Sequence, residues 1–112
     1  MSGWLAFLDA LIVFRETPTK DQEDTIFNIF VKLSQGRRDD IRFDDYDING
    51  TVKRCLDMDF SFFYNRREML DILDQIKHIA RLENGSFFEF SDEDGDTWSF
   101  TFKDGEFIEE GN

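Results

Sequence analysis

Residues 41–64 read IRFDDYDINGTVKRCLDMDFSFFY, and this stretch decides the fold. Asn49-Gly50 at its centre is a pair in which both residues tolerate positive φ, the signature of a two-residue type I′ hairpin turn. A turn of that length sets the register of the flanking strands. Val52 opposes Asp47, Arg54 opposes Asp45, Leu56 opposes Phe43 and Met58 opposes Ile41. One face then collects Ile41, Phe43, Val52, Leu56 and Met58, and alternation carries it on to Phe60 and Phe62. The other face pairs Arg42 with Asp57 and Tyr46 with Lys53. A slip of one residue would put the whole apolar set into water, so the register is well specified.

Helical signals flank this hairpin on both sides. Before it, Thr17-Pro18-Thr19 breaks the chain. Thr19 is placed to cap a helix, with Gln22 three residues on and Asp21, Glu23 and Asp24 facing the positive end of its dipole. Ile26, Phe27, Ile29, Phe30 and Leu33 form its apolar side, and Gly36 is the expected stop. After the hairpin, Asn65 and Glu68 have capping-box spacing, and Tyr64 sits in the staple position opposite Met69. Met69, Leu70, Ile72, Leu73, Ile76, Ile79, Ala80 and Leu82 give a helical stripe, with Asn84-Gly85 as its expected end.

The two ends of the chain complete the sheet. Residues 4–14 are open to two readings. Leu5, Leu8, Leu11 and Ile12 would line a helix, whereas residues 10–14 (Ala-Leu-Ile-Val-Phe) form a short apolar run whose β-branched pair favours a buried strand. Near the C-terminus, a three-residue Asp94-Gly95-Asp96 loop would oppose Phe90 to Phe100, Phe88 to Phe102 and Asp92 to Trp98. A tight Asp104-Gly105 turn would set Lys103 against Glu106 and Phe102 against Phe107. The expected fold class is α+β, in the order β-α-β-β-α-β-β-β. Two amphipathic helices pack on one face of a mainly antiparallel sheet, a plan related to the split βαβ or ferredoxin-like arrangement.

Composition fits one domain over residues 1–112. The chain is 40% hydrophobic and has fourteen phenylalanines, enough for a core despite a formal charge of −12. No stretch approaches the ~20 apolar residues of a membrane-spanning helix. Residues 4–14 are interrupted by Asp9 and lack a basic leader, a poor signal peptide. Cys55 is the only cysteine, which suits a reducing, cytoplasmic compartment.

Catalytic and metal-binding signals are sparse. One histidine and one cysteine make no zinc site. Asp45, Asp47, Asn49 and Gly50 match the start of an EF-hand loop, but Leu56 stands where its bidentate glutamate belongs, and the flanks alternate as strands. Asp92-Glu93-Asp94-Gly95-Asp96 has oxygens in plenty with the glycine misplaced. His78 falls near the end of a helix, a structural position, and Cys55 faces a carboxylate that would raise its pKa. No catalytic residue, metal or cofactor is expected, and the chain reads as a non-enzyme.

Charge carries the functional signal. Residues 86–112 hold nine acids (Glu89, Asp92, Glu93, Asp94, Asp96, Asp104, Glu106, Glu109 and Glu110) against Lys103 alone. Asp39, Asp40, Asp44, Asp45 and Asp47 form a second acidic cluster along the first hairpin. Acidic turns serve solubility and blunt sheet edges. Carboxylates packed this closely also repel one another, a cost that a cationic partner would relieve. Such a chain will not seek nucleic acid phosphates or an anionic membrane. In size, charge and want of catalytic groups it resembles immunity proteins that neutralise nuclease toxins and phage-encoded inhibitors of host defence that imitate DNA charge.

That resemblance implies a basic protein partner, either a nuclease or another nucleic-acid-binding protein. The expected contact surface is Glu89, Asp92, Glu93, Asp94, Asp96, Asp104 and Glu106, joined by Asp44, Asp45 and Asp47. Trp98 and Tyr46 are aromatic anchors, with Phe107 a further aromatic candidate. Sheet or core packing is the competing reading for each ring. The competing function is a structural or regulatory interaction module that associates through apolar surface, with itself or another chain.

Overall fold

The structure, a computed structural model, describes residues 4–111. Six strands and two helices follow one another as β1 (Trp4–Val13), α1 (Lys20–Leu33), β2 (Ile41–Ile48), β3 (Thr51–Tyr64), α2 (Arg66–Ile79), β4 (Phe87–Asp92), β5 (Thr97–Lys103) and β6 (Glu106–Gly111). The sheet order is β2-β3-β1-β4-β5-β6, and every neighbouring pair is antiparallel. β1 and β2 therefore run the same way with β3 between them, which is the split βαβ plan. β5 and β6 extend it beyond β4.

Residues 4–13 form a strand, and it lies at the centre of the sheet. The even-numbered side chains Ala6, Leu8, Ala10 and Ile12 are buried, while Phe7 and Asp9 on the other face are exposed. On the covered face Ala6 lies opposite Phe62, and Ala10 lies between Met58 and Phe88. Small residues in the middle strand thus alternate with large ones beside it, which fills the layer without overpacking. Ile26 and Phe30 of α1 and Met69, Ile72, Leu73 and Ile76 of α2 close the core from above.

Both helices are capped by the residue expected, α1 with the full reciprocal box and α2 by Asn65 alone. Thr19 Oγ1 accepts the Gln22 N–H at 3.1 Å, and Gln22 Oε1 accepts the Thr19 N–H at 2.8 Å, a full capping box. The Gln22 amide also donates to the Ile79 carbonyl at 2.8 Å, tying the first turn of α1 to the last residue of α2. Asn65 Oδ1 accepts the Glu68 N–H. The β2–β3 register is the one the Asn49-Gly50 turn dictates, with φ of 52° and 86° at those residues. Val52 lies at the hairpin tip beyond the helices and is 70% exposed, despite its place on the apolar face.

Two expectations are corrected. α2 ends at Ile79, five residues before Asn84-Gly85, with Ala80 extended. The following chain is drawn onto the end of β1: Phe14 bridges Leu82, Arg15 N–H donates to the Arg81 carbonyl, and Glu83 N–H to the Val13 carbonyl. Ala80 and Leu82 are buried as expected, but from an extended segment, Leu82 paired with the end of β1, and not through a helical stripe. Ser86, fully buried, completes this join by accepting the Val13 N–H at 2.9 Å and donating to the Glu83 carbonyl at 2.9 Å.

The β4–β5 register is displaced by two residues. Phe88 faces Phe100, Phe90 faces Trp98, and Asp92 closes on Asp96 across a loop of Glu93, Asp94 and Gly95. The cause is local. The Asp92 carboxylate accepts the N–H groups of both Asp94 (2.9 Å) and Asp96 (3.0 Å), and Gly95 takes φ 85°, closed to most side chains. A shift of two keeps every phenylalanine on its own face, so burial did not distinguish the two registers. Asp104-Gly105 turns as expected, pairing Lys103 with Glu106 and Phe102 with Phe107.

Candidate functional site

The helices cover one face of the sheet and leave the other uncovered. On that open face the register aligns one residue from each of five strands: Asp59 (β3), Asp9 (β1), Glu89 (β4), Ser99 (β5) and Glu110 (β6). Four of the five are carboxylates. Adjacent strands are about 4.8 Å apart, so the row spans roughly 19 Å. None of the four acids makes an ion pair or a side-chain hydrogen bond among the described residues. Phe7, Asp9, Asp59, Glu89, Ser99 and Glu110 line a shallow concavity along it.

Apolar side chains flank the row. On one side are Phe7, 46% exposed, and the cross-strand pair Leu5 and Phe63, the latter 58% exposed. On the other, Leu11 lies beside Phe87, with Thr101 and Ile108 (46% exposed) continuing outward. The cations of this face sit at its margins. Arg42 is 3.4 Å from Asp57, Lys53 is 3.5 Å from Glu83, and Lys103 lies opposite Glu106.

Like charges directly opposite on neighbouring strands oppose folding. Asp9 stands between two of them, Asp59 and Glu89. Asp9→Asn is therefore expected to raise the melting temperature at low ionic strength. The gain should shrink in about 1 M salt, where the screening length falls to about 3 Å. Thermal unfolding of the variant at two salt concentrations measures both effects.

The residues singled out from sequence fall in several places. Glu89 joins the open-face row. Glu93, Asp94 and Asp96 are exposed on the β4–β5 turn at one end of the sheet, whereas Asp104 is at the other end, where its N–H donates to Asn84 Oδ1. Glu106 lies on the edge strand β6. Glu109 turns to the covered side and pairs with Arg66 at 2.7 Å, which makes it the one tail acid in an ion pair among the described residues. Asp44, Asp45, Tyr46 and Asp47 lie on β2, the opposite edge, five strand spacings or about 24 Å from β6.

Most of these groups have local duties. Asp45 reaches Arg54 at 3.4 Å, and Asp47 accepts the Gly50 N–H at 2.8 Å. The Tyr46 hydroxyl donates to Asp57 at 3.0 Å, a bond that raises its pKa. Asp92 is half-buried and holds its turn together. Asp92→Ala should cost about 1–2 kcal/mol through the lost backbone bonds. Glu93→Gln should leave stability within about 0.5 kcal/mol of the parent, and urea unfolding of the two variants separates them.

Trp98 lies on the covered face in an aromatic cluster, stacked on Phe90 (5.6 Å) and edge-on to Tyr64 (5.0 Å) and Trp4 (6.2 Å). Its Nε1 and the Tyr64 hydroxyl are buried without a well-formed hydrogen bond. Burial raises the Tyr64 pKa, and the neighbouring indole N–H offsets part of that rise. Phe107 is half-buried against Phe88 and Phe102.

Three of the row acids, Asp9, Asp59 and Glu110, lie outside the contact surface expected from sequence, and Asp9 and Asp59 lie outside its acidic clusters altogether. The alternation of these two with buried neighbours marks them as outward-facing, but only the pairing of β1 with β3 and β4 places them beside Glu89. Elsewhere, the Cys55 thiol is buried and its pKa raised by that burial, with the charges of Asp45 and Asp57 adding to it. His78 is exposed, its Nδ1 2.7 Å from the Asp74 carbonyl. Among the described residues no three His, Cys, Asp or Glu side chains are grouped to hold a metal ion, and no helix is long and apolar enough to cross a membrane. Comparison with family models, with curated proteins and with solved structures finds no match to the chain.

Proposed function

We propose that the chain is a non-enzymatic binding protein that blocks a basic, nucleic-acid-handling protein, such as a nuclease, by offering carboxylates where that partner receives phosphates. The observation that carries this reading is the free charge: of the nine acids in residues 86–112, eight have no ion-pair partner among the described residues. A folded domain stabilises itself poorly by holding so much uncompensated charge, and a cationic partner would relieve the repulsion. Complementary fields also speed encounter, by an amount that falls with ionic strength.

The test is inhibition of nuclease and nucleic-acid-binding activities from the producing cell, titrated with the full chain over about 50–500 mM salt. Inhibition should be competitive with duplex DNA and should weaken steeply as salt rises. Binding that ignores both salt and DNA would count against charge mimicry. The alternative, an interaction module associating through apolar surface, draws on the exposed Phe7, Phe63 and Ile108 of the open face. It predicts a concentration-dependent, salt-insensitive mass in sedimentation.

A further inference from the structure

The open face combines two features that are separately common on a small protein: a row of four unpaired carboxylates and, on each side of it, a band of exposed and half-buried apolar side chains. Successive outward-facing residues along a strand are about 6.8 Å apart. Phe7 therefore stands one step from Asp9 in one direction, and Leu11 one step in the other. Across the sheet Phe87 is likewise one step from Glu89, and Ile108 one step from Glu110. Charge and apolar surface are interleaved at the spacing of neighbouring side chains and are not segregated into separate regions.

This arrangement narrows what would cover the face. A second copy of the chain would bring its own acids against the row, placing like charges in a drying interface, where their repulsion grows. Nucleic acid and anionic lipid have the wrong sign. A flexible polycation would satisfy the acids and leave Phe7, Phe63 and Ile108 in water. A basic protein segment with apolar neighbours satisfies both. Cationic side chains on successive helical turns recur every 5.4 Å or so, close to the roughly 4.8 Å spacing of the strands.

We propose that the uncovered sheet face is a docking surface for a basic, amphipathic helical segment of a protein. Its lysines or arginines would seat on Asp59, Asp9, Glu89 and Glu110, and its apolar side chains would cover Phe7 and Phe63 on one flank and Leu11, Phe87 and Ile108 on the other. This rests on the reading of the chain as a binder of a basic protein, and it moves the contact from the acidic turns to the face of the sheet.

The experiment uses the full chain and two synthetic helical peptides of about 14 residues, a length that covers the row. Both carry lysines on successive turns; one flanks them with leucine and the other with serine. Two variants each remove four charges. The row variant is Asp9→Asn, Asp59→Asn, Glu89→Gln and Glu110→Gln. The turn variant is Glu93→Gln, Asp94→Asn, Asp96→Asn and Asp104→Asn. Amide spectra check that both are folded; the row substitutions relieve repulsion, so they should not unfold the domain.

The leucine peptide should bind the parent chain about tenfold or more tightly than the serine peptide. The row variant should weaken leucine-peptide binding by about tenfold or more, and the turn variant by less than about threefold. Equal affinity for the two peptides, or equal loss in the two variants, would overturn the docking face. If the row variant still inhibits the nucleic-acid-handling partner as the parent does, the face assignment fails while the inhibitor reading stands. If the parent inhibits no such partner but binds the leucine peptide through the row, that reading fails and the face remains.

Discussion

Phe88→Ala is expected to remove about 3–5 kcal/mol of stability, a large fraction of the roughly 5–15 kcal/mol that a domain typically holds. Phe88 is fully buried on β4, next to the central strand. Its ring stacks on Phe30 of α1 at 5.9 Å and meets Phe107 of β6 edge-on at 5.8 Å. One side chain thus joins a helix, the centre of the sheet and its outer edge. Truncation leaves a void walled by rings that cannot collapse into it without breaking the strand pairing. The melting temperature should fall by roughly 4–8 °C per kcal/mol for a domain of this size. Phe88→Leu, which keeps most of the volume, should cost clearly less. A loss below about 1 kcal/mol for the alanine variant, by urea unfolding, would mean that the site repacks.

Arg54→Met should have the next largest effect, about 1–3 kcal/mol. Arg54 projects from β3 toward the helix side and grips Glu23 of α1 with two hydrogen bonds, Nε to Oε2 at 2.8 Å and a second at 3.3 Å. It also reaches Asp45 across the hairpin and lies 6.0 Å from the ring of Phe43. The Glu23 side chain is only 15% exposed, so removing the guanidinium strands a poorly hydrated carboxylate. Arg54→Lys should recover only part of the loss, since an ammonium cannot reproduce the two-pronged contact. Adding Glu23→Gln to Arg54→Met should cost less than the sum of the single changes, a coupling that a double-mutant cycle reads directly.

Legibility in the sequence followed the range of the interaction. Asn49-Gly50 and Asp104-Gly105 accept only a narrow set of backbone angles, so two hairpin registers were readable from four residues. Thr19 with Gln22, and Asn65, marked both helix starts for the same reason. The end of α2 was not readable, because its apolar stripe continues through Ala80 and Leu82, and only pairing with the distant β1 pulls those residues out of the helix. The β4–β5 register turned on whether the Asp92 carboxylate would fold back on its own turn, a choice to which the face pattern is blind. The acidic turns were visible as composition. The open-face row was not, since Asp9 and Asp59 are fifty residues apart and no turn sets the pairing of their strands.

The central place of β1 has a consequence during synthesis. Within this domain β1 is made before every other strand, yet its partners follow late, β3 some forty residues on and β4 about eighty. At about 5–20 residues per second the wait for β4 is roughly 4–16 s. Until β3 is made, the run of Leu5, Leu8, Leu11, Ile12 and Val13 has no strand partner, and until β4 it has only one. Nascent chains on a crowded polysome would therefore gain most from a chaperone at this one segment.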